Sequence, residues 1–280
     1  MKTIVTSETT EVAISSEGPI TMIGERINPT GRKALAAALL EGDLDYVRHQ
    51  AVTQAEAGAN ILDVNGGVPG MDEAAMMPEV VKAVAESVDL PLCIDTANPD
   101  SLAAALAVAP GKVLVNSVNG EEESLDTVLP MVKASGAAVI GLTMDKEGIP
   151  ADAETRAAIA ERIVERALAV GIPIEDVVID PLVLTIGADP AAGRVTLDAI
   201  ELITERLGTN ISLGASNVSF GMPERHTLNQ AFLALAIRAG ATCVMTHVAR
   251  LGLSIRATEA LLGRDPYAGR YIKMFRRQQN

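Results

Sequence analysis

The chain has no tryptophan, and aromatic residues supply only 2% of its 280 positions. Its core must therefore come from Ala, Val, Ile and Leu, the small and branched side chains that suit helices packed on a barrel. Cysteine is scarce as well. Cys93 and Cys243 stand singly in apolar runs and read as buried thiols; no CxxC or Cys/His spacing points to zinc, and the expected resident metal is none. Basic residues are outnumbered, 23 against 36 acidic, for a net charge of −13. Such a surface repels a phosphate backbone and argues against nucleic acid as a partner. No run approaches the roughly eighteen apolar residues of a membrane span, and MKTIVTSETTEV lacks the apolar centre of a secretory signal. The expectation is a soluble cytoplasmic protein with no membrane partner. Gly and Pro are scattered singly, so no linker divides the chain.

What is present is a repeat of strand, polar residue and helix. Residues 1–19 stand outside it: TIVTS and VAISS, separated by ETTE, predict a small β-hairpin placed to plug the end of a barrel opposite its mouth. From residue 20 to 280 the sequence predicts eight β/α units. The strands are ITMIG (20–24), NILDV (60–64), LPLCI (90–94), KVLVN (112–116), AAVIGLT (137–143), DVVID (176–180), ISLGA (211–215) and ATCVMT (241–246). Helical sequence follows each, including one long helix through Asp43 to Ala57 and a stretch opened by Asn98-Pro99, an N-cap with Pro at the first helical position. The strands are nearly continuous apolar runs, as expected where both faces of a parallel sheet are buried. Gly58, Gly136, Gly171, Gly208 and Gly240 each sit where a helix should stop. An open doubly wound sheet would alternate in the same way, but it would carry a GxGxxG turn and one switch point, and neither is found. The predicted fold class is therefore α/β, a (β/α)8 TIM barrel.

All strands of such a barrel end at one face, where the chemistry lies. Asp95, Asn116, Asp180 and Asn217 each close an apolar run, so they should converge there. A carboxylate can accept paired N–H donors from a guanidine-like or amide edge, a charge-assisted bond contributing roughly 1.5–3 kcal/mol. A carboxamide offers donor and acceptor from one rigid group. The bland alternatives are helix caps, ion pairs and turn-forming Asn; a Mg²⁺ site is a third reading, disfavoured because Asn completes the set. Gly214 and Gly221 flank Asn217 and would let backbone approach a ligand. Asp63 and Asn65 follow the second strand, where Asp63 either orients neighbours or touches ligand. Glu25, Arg26 and Asn28 follow the first, with an internal Glu25–Arg26 pair as the safer reading. His49 and His226 sit on predicted helices, and His247, which ends a strand, reads as structural.

Taken in order, GERINPTG, GANILDVNGG, PLCIDT, VLVNSV, IDPL and GASNVSFGMPER resemble the pterin-binding methyltransferases. These are the methyltetrahydrofolate:corrinoid protein methyltransferases and the folate domain of cobalamin-dependent methionine synthase. The likeness runs from Gly24 to Leu262 and implies a dihydropteroate-synthase-like barrel holding tetrahydrofolate at its mouth. It implies that Asp95, Asn116 and Asp180 bond the pyrimidine edge of the pterin, and that Asn217, the catalytic residue, meets the methyl-bearing nitrogen. Gly214, Ser216 and Arg225 would shape that site. Dihydropteroate synthases share the fold but carry TPDSFSDGG-like and STRPG-like loops where this chain reads INPTG and NGGVPG, a departure that removes their pyrophosphate site. No DxHxxG motif for holding a corrinoid occurs, so the resemblance implies cobalamin carried by a separate corrinoid protein that binds transiently, and a homodimer. A divergent dihydropteroate synthase and an inactive folate-binding subunit are the alternatives.

Overall fold

A computed structural model describes residues 1–279. The N-terminal segment forms an antiparallel hairpin, β1 (Lys2–Thr6) with β2 (Glu11–Ser15). Eight parallel strands follow in one sheet: β3 (Thr21–Ile27), β4 (Ile61–Val64), β5 (Leu92–Asp95), β6 (Leu114–Asn119), β7 (Ala138–Leu142), β8 (Val177–Asp180), β9 (Asn210–Ile211) and β10 (Cys243–Thr246). They pair in sequence order, and β10 returns to β3. The seventh strand is shorter than its apolar run suggests, because the chain bends at Gly214 into a 3-10 turn over Ala215–Ser219. Closure is completed by Thr242 N donating to Ile211 O and Met245 N donating to Leu213 O, both at 3.0 Å.

The helices α1 (Lys33–Leu40), α2 (Leu44–Glu56), α3 (Glu73–Ser87), α4 (Pro99–Leu106), α5 (Glu122–Ser135), α6 (Ala153–Ala169), α7 (Ala192–Leu207), α8 (Arg225–Ala239), α9 (Val248–Leu261) and α10 (Gly269–Gln279) surround the strands. The first helical region is two helices, since Gly42 turns the chain at φ 72° and the Asp43 side chain caps α2. Asn98 caps α4 as its sequence predicts, accepting from Asp100 N and Ser101 N. The five glycines expected at helix ends all have positive φ, a conformation that carries little steric cost only without Cβ. Among the described residues, no helix is long and apolar enough to cross a membrane.

Side chains alternate across a strand, so residues two apart share a face. Ile23, Ile61, Cys93, Leu114, Ala138, Ile140, Val178 and Cys243 form one buried cluster together with Val5 and Ile14 of the hairpin. This cluster is the barrel interior, and the hairpin closes its lower end as the sequence suggests. Thr6 N donates to Lys112 O at 2.9 Å, and Asn210 Nδ2 reaches Thr3 Oγ1 and Ile14 O at 2.9 Å. The hairpin lies so close that a Cβ on Gly111 would stand 2.3 Å from Thr6 O.

Candidate functional site

Two positions beyond that interior layer, the same alternation places Glu25, Asp63, Asp95, Asn116, Asp180 and Met245 on the inner face near the C-terminal ends of their strands. Asp95, Asn116 and Asp180 of the polar set named from the sequence therefore meet at one mouth because each continues an inward-facing register. Asp95 Oδ2 accepts from Asn28 Nδ2 at 2.8 Å and Asn65 Nδ2 at 3.2 Å. Both bonds fall on one oxygen, which leaves the lone pairs of Oδ1 for a ligand. Burial pushes Asp95 above its ordinary value, against the lowering effect of these donors.

Asp63 is 1% exposed and lies below the mouth, where it accepts from Asn116 Nδ2 at 3.3 Å. Burial first, and the charge of Asp95 second, push it well above its ordinary value. The side-chain bond seen here is to a neighbour, Asn116. This bond holds the Asn116 amide so that the Asn116 carbonyl oxygen stays available. Met245 Sδ, 3.9 Å from Asn116 Nδ2, braces the same amide.

Asp180 is 8% exposed, and its Oδ1 accepts from Leu182 N at 2.8 Å. Desolvation raises it to about 7, with lowering contributions from the backbone donors of Leu182 and Gly214 and from Arg156. The loop after β8 is fixed by Arg156, itself buried, which donates to Pro150 O, Pro181 O and Leu182 O at 2.9–3.0 Å. Leu182 keeps a positive φ of 62° within this brace.

The Ala215–Ser219 turn carries Asn217, whose side chain is exposed at the rim. Arg225, on the first turn of α8, holds the turn from outside: its Nη2 donates to Ser216 O at 2.9 Å and its Nε to Ser219 Oγ at 3.1 Å. Ser219 Oγ donates onward to Asn229 Oδ1 at 2.7 Å. A Cβ at position 214 would sit 3.3 Å from Asn217 Nδ2, so Gly214 leaves the amide room. Ser216 contributes its carbonyl to this clamp.

Glu25 corrects the sequence reading. Its carboxylate lies 3.8 Å from Arg32 Nη2, which also donates to Glu25 O at 3.0 Å; Arg32, six residues beyond Arg26, is its ion-pair partner. Asn28 and Asn65 serve Asp95, and the Asn65 Oδ1 also accepts from Gly67 N at 2.8 Å. Two cavities open at the mouth. One, of about 390 Å³, is lined by Asp95, Asn98, Asn116, Asn119, Glu121 and Glu123 among others. The other, of about 610 Å³, lies between the loops after β3, β9 and β10. Sequence reasoning missed Thr96, Asn119 and Glu121 in the first cavity and Arg32, Lys33 and Arg250 in the second. Asn119 had a signal, since it ends a strand that runs three residues past the apolar stretch. The cations had none, because Arg32 and Lys33 open α1 while Arg250 lies on α9, far away in the chain.

Residues 24–247 match the family described as pterin binding enzyme. The chain is 34% identical over 264 residues to the methylcorrinoid:tetrahydrofolate methyltransferase of Eubacterium limosum, covering 91% of this chain and 96% of that protein. It is 30% identical over 260 residues to methionine synthase of Mycobacterium tuberculosis, covering 88% of this chain but 22% of that larger protein. Among solved structures, the dihydropteroate synthase of Yersinia pestis superposes with a TM-score of 0.72 over 94% of this chain and 100% of the other. That of Vibrio fischeri gives 0.71, over 95% and 100%. Identities of 19% and 18% make these two a likeness of fold alone.

Proposed function

Because the chain belongs to the pterin-binding enzyme family, we infer that it transfers a methyl group between the methyl-bearing ring nitrogen of tetrahydrofolate and the cobalt of a corrinoid held by a separate protein. The observation that carries this reading is the juxtaposition of Asp95, Asn116 and Asp180 inside the mouth with an exposed Asn217 amide on its rim. The activity named for the Eubacterium limosum relative, which this chain resembles over nearly its whole length, supports it.

A pterin presents an amino group, a ring N–H and a carbonyl along one edge. Carboxylates at 95 and 180 accept from the donors, and the Asn116 amide serves whichever neighbour remains. Asp180, poised near neutrality, binds by giving up its proton and taking ligand N–H groups in its place. The methyl sits on a tertiary amine, a poor leaving group unless that nitrogen is protonated. The Asn217 amide accepts from the protonated nitrogen and donates to the neutral one, so it stabilises both ends of the reaction without ionising. Arg225 is a positioning residue, since it fixes the turn and touches no reacting atom. The corrinoid supplies the cobalt centre that takes or gives the methyl, and the open rim, with Phe220 68% exposed, leaves room for its approach.

The test separates chemistry from binding. Asn217→Ala should slow single-turnover transfer between methyltetrahydrofolate and free reduced cobalamin by on the order of 10²–10³, with a much smaller change in folate affinity. An unimpaired rate would remove Asn217 from the reaction. Net direction depends on the substrates supplied, and one site serves both. We also propose a homodimer with both mouths free; sedimentation giving a monomer at micromolar concentration would exclude it.

A further inference from the structure

The cavity of about 610 Å³ at the mouth is lined by Arg26, Arg32, Lys33, Arg225 and Arg250. Glu25 is its only acidic lining residue among those described. In a chain of net charge −13 this concentration of positive charge is local. Arg225 is committed to the Asn217 turn, and Arg32 to Glu25. Arg26, Lys33 and Arg250 have no ion-pair partner among the described residues. Two buried polar atoms in this cavity, Arg32 Nε and His247 Nδ1, also find no hydrogen-bond partner. Burial and the surrounding Arg26, Arg250 and Arg32 depress His247 to about 4, so the cavity refuses one more positive charge. Unpaired cations and unmet donors around one space are the pattern of an anion site.

Its location says which anion. In tetrahydrofolate the methyl-bearing nitrogen is bonded to the ring carbon that carries the aminobenzoyl-glutamate arm. If Asn217 meets that nitrogen, the arm leaves the ring beside residue 217, and the neighbouring Ser216, Phe220 and Arg225 line this cavity. Phe220, with the Arg225 guanidinium 5.6 Å from its ring centroid, offers a surface for the aminobenzoyl ring. The other cavity, bordered by Asp95, Glu121 and Glu123, would repel carboxylates. We propose that the cationic cavity is a carboxylate subsite that grips the glutamyl tail of the folate, and that this makes the protein selective for polyglutamylated folates. The inference rests on the pterin reading above.

Three ligands test it by titration: a tail-less tetrahydropterin, tetrahydrofolate with one glutamate, and tetrahydrofolate with three. The wild-type chain should rank them in rising affinity, with the gain shrinking as salt is raised. Each removed cation should cost roughly two- to fivefold, the scale of a partly exposed ion pair. The triple variant Arg26→Gln/Lys33→Gln/Arg250→Gln should lose most of the ranking while binding the tail-less pterin as well as wild type, with an unchanged unfolding temperature. Equal affinities for all three ligands in wild type would overturn the subsite, as would a ranking that survives in the triple variant. An equal loss for the tail-less pterin would place the cations in the pterin pocket instead. Slower transfer to a corrinoid carrier protein, with the folate ranking intact, would assign them to that partner and overturn the inference. If wild type bound none of the three, the pterin reading itself would fail.

Discussion

Asp180→Asn should make the empty protein more stable and the functional protein worse. Desolvation raises the Asp180 carboxyl from an ordinary 3.8 to about 7. A gap of about three pH units, at ~1.36 kcal/mol each, corresponds to about 4 kcal/mol of destabilisation once the group is ionised in both folded and unfolded chains. An amide removes that cost, but it has one acceptor oxygen where the carboxylate has two. The Leu182 N–H at 2.8 Å can keep its partner, whereas the Gly214 N–H is at risk. Losing one buried acceptor costs about 1–3 kcal/mol, so the net gain is about 2 kcal/mol. For a domain of this size that raises Tm by about 4 °C or more.

The sign with pH follows from which state holds the proton. Below about pH 4 the carboxyl is neutral folded and unfolded, and the substitution should bring no gain. Between about 4 and 7 the folded chain keeps a proton that the unfolded chain has lost, so wild-type stability falls as pH rises. Above about 7 the penalty is complete, and the advantage of Asn is largest. Scanning calorimetry at pH 4.5 and pH 8 reads this directly. Folate binding should run the other way: wild-type affinity falls by up to tenfold per unit below about pH 7, and the amide variant binds weakly with a flatter profile. An Asn variant that is no more stable at pH 8, or that gains equally at both pH values, would refute the desolvation argument.

Asp95→Ala, Asn116→Ala and Asp180→Ala should each weaken methyltetrahydrofolate binding roughly tenfold or more in isothermal titration, the size of one lost charge-assisted bond; unchanged affinity in all three would move the pterin off this face. Arg156→Ala should destabilise the fold by about 3 kcal/mol or more, measured by urea unfolding, because it strands the carbonyls of Pro150 and Pro181, takes one of two donors from Leu182 O and empties a buried site. Arg225→Ala should lower the transfer rate and leave Asp95-dependent pterin binding nearly intact, since it holds the Asn217 turn; an equal loss in both would show that it touches the ligand. Reversing exposed charge on the rim should slow transfer to the carrier protein at low salt and spare transfer to free cobalamin; equal slowing would put the effect in the folate site.

The barrel was legible because its signals are local. An apolar run ending in a polar residue, a helix-length stretch and a closing glycine recur around the chain, and each element answers to its own composition. Departures occur where a neighbour overrides that composition. ISLGA has the residues of a full strand, yet only Asn210–Ile211 pairs with β8, because the backbone must leave the sheet at Gly214 to present Asn217. The helix expected from Asp43 to Ala57 is α2, whereas α1 precedes it and is parted from it at Gly42, a residue whose positive φ a pattern of apolar spacing does not reveal.

The site was legible for the same reason and to the same depth. Asp95, Asn116 and Asp180 could be picked out because each is the first polar residue in an inward-facing register, a property of its own strand. Their partners could not. That Asn28 and Asn65 share one oxygen of Asp95, or that Glu25 pairs with Arg32 and not with the adjacent Arg26, depends on how three loops from different strands pack. Glu25 and Arg26 line the same cavity where β3 departs from regular register, yet the contact within ion-pair distance is made by Arg32 from the following loop. The cationic cavity is the extreme case. Its charges come from β3 and the ends of α1, α8 and α9, with Arg26 and Arg250 more than two hundred residues apart, and a chain of net charge −13 gives no hint of them. Composition averages over a surface, whereas a binding site is made by where the fold departs from that average.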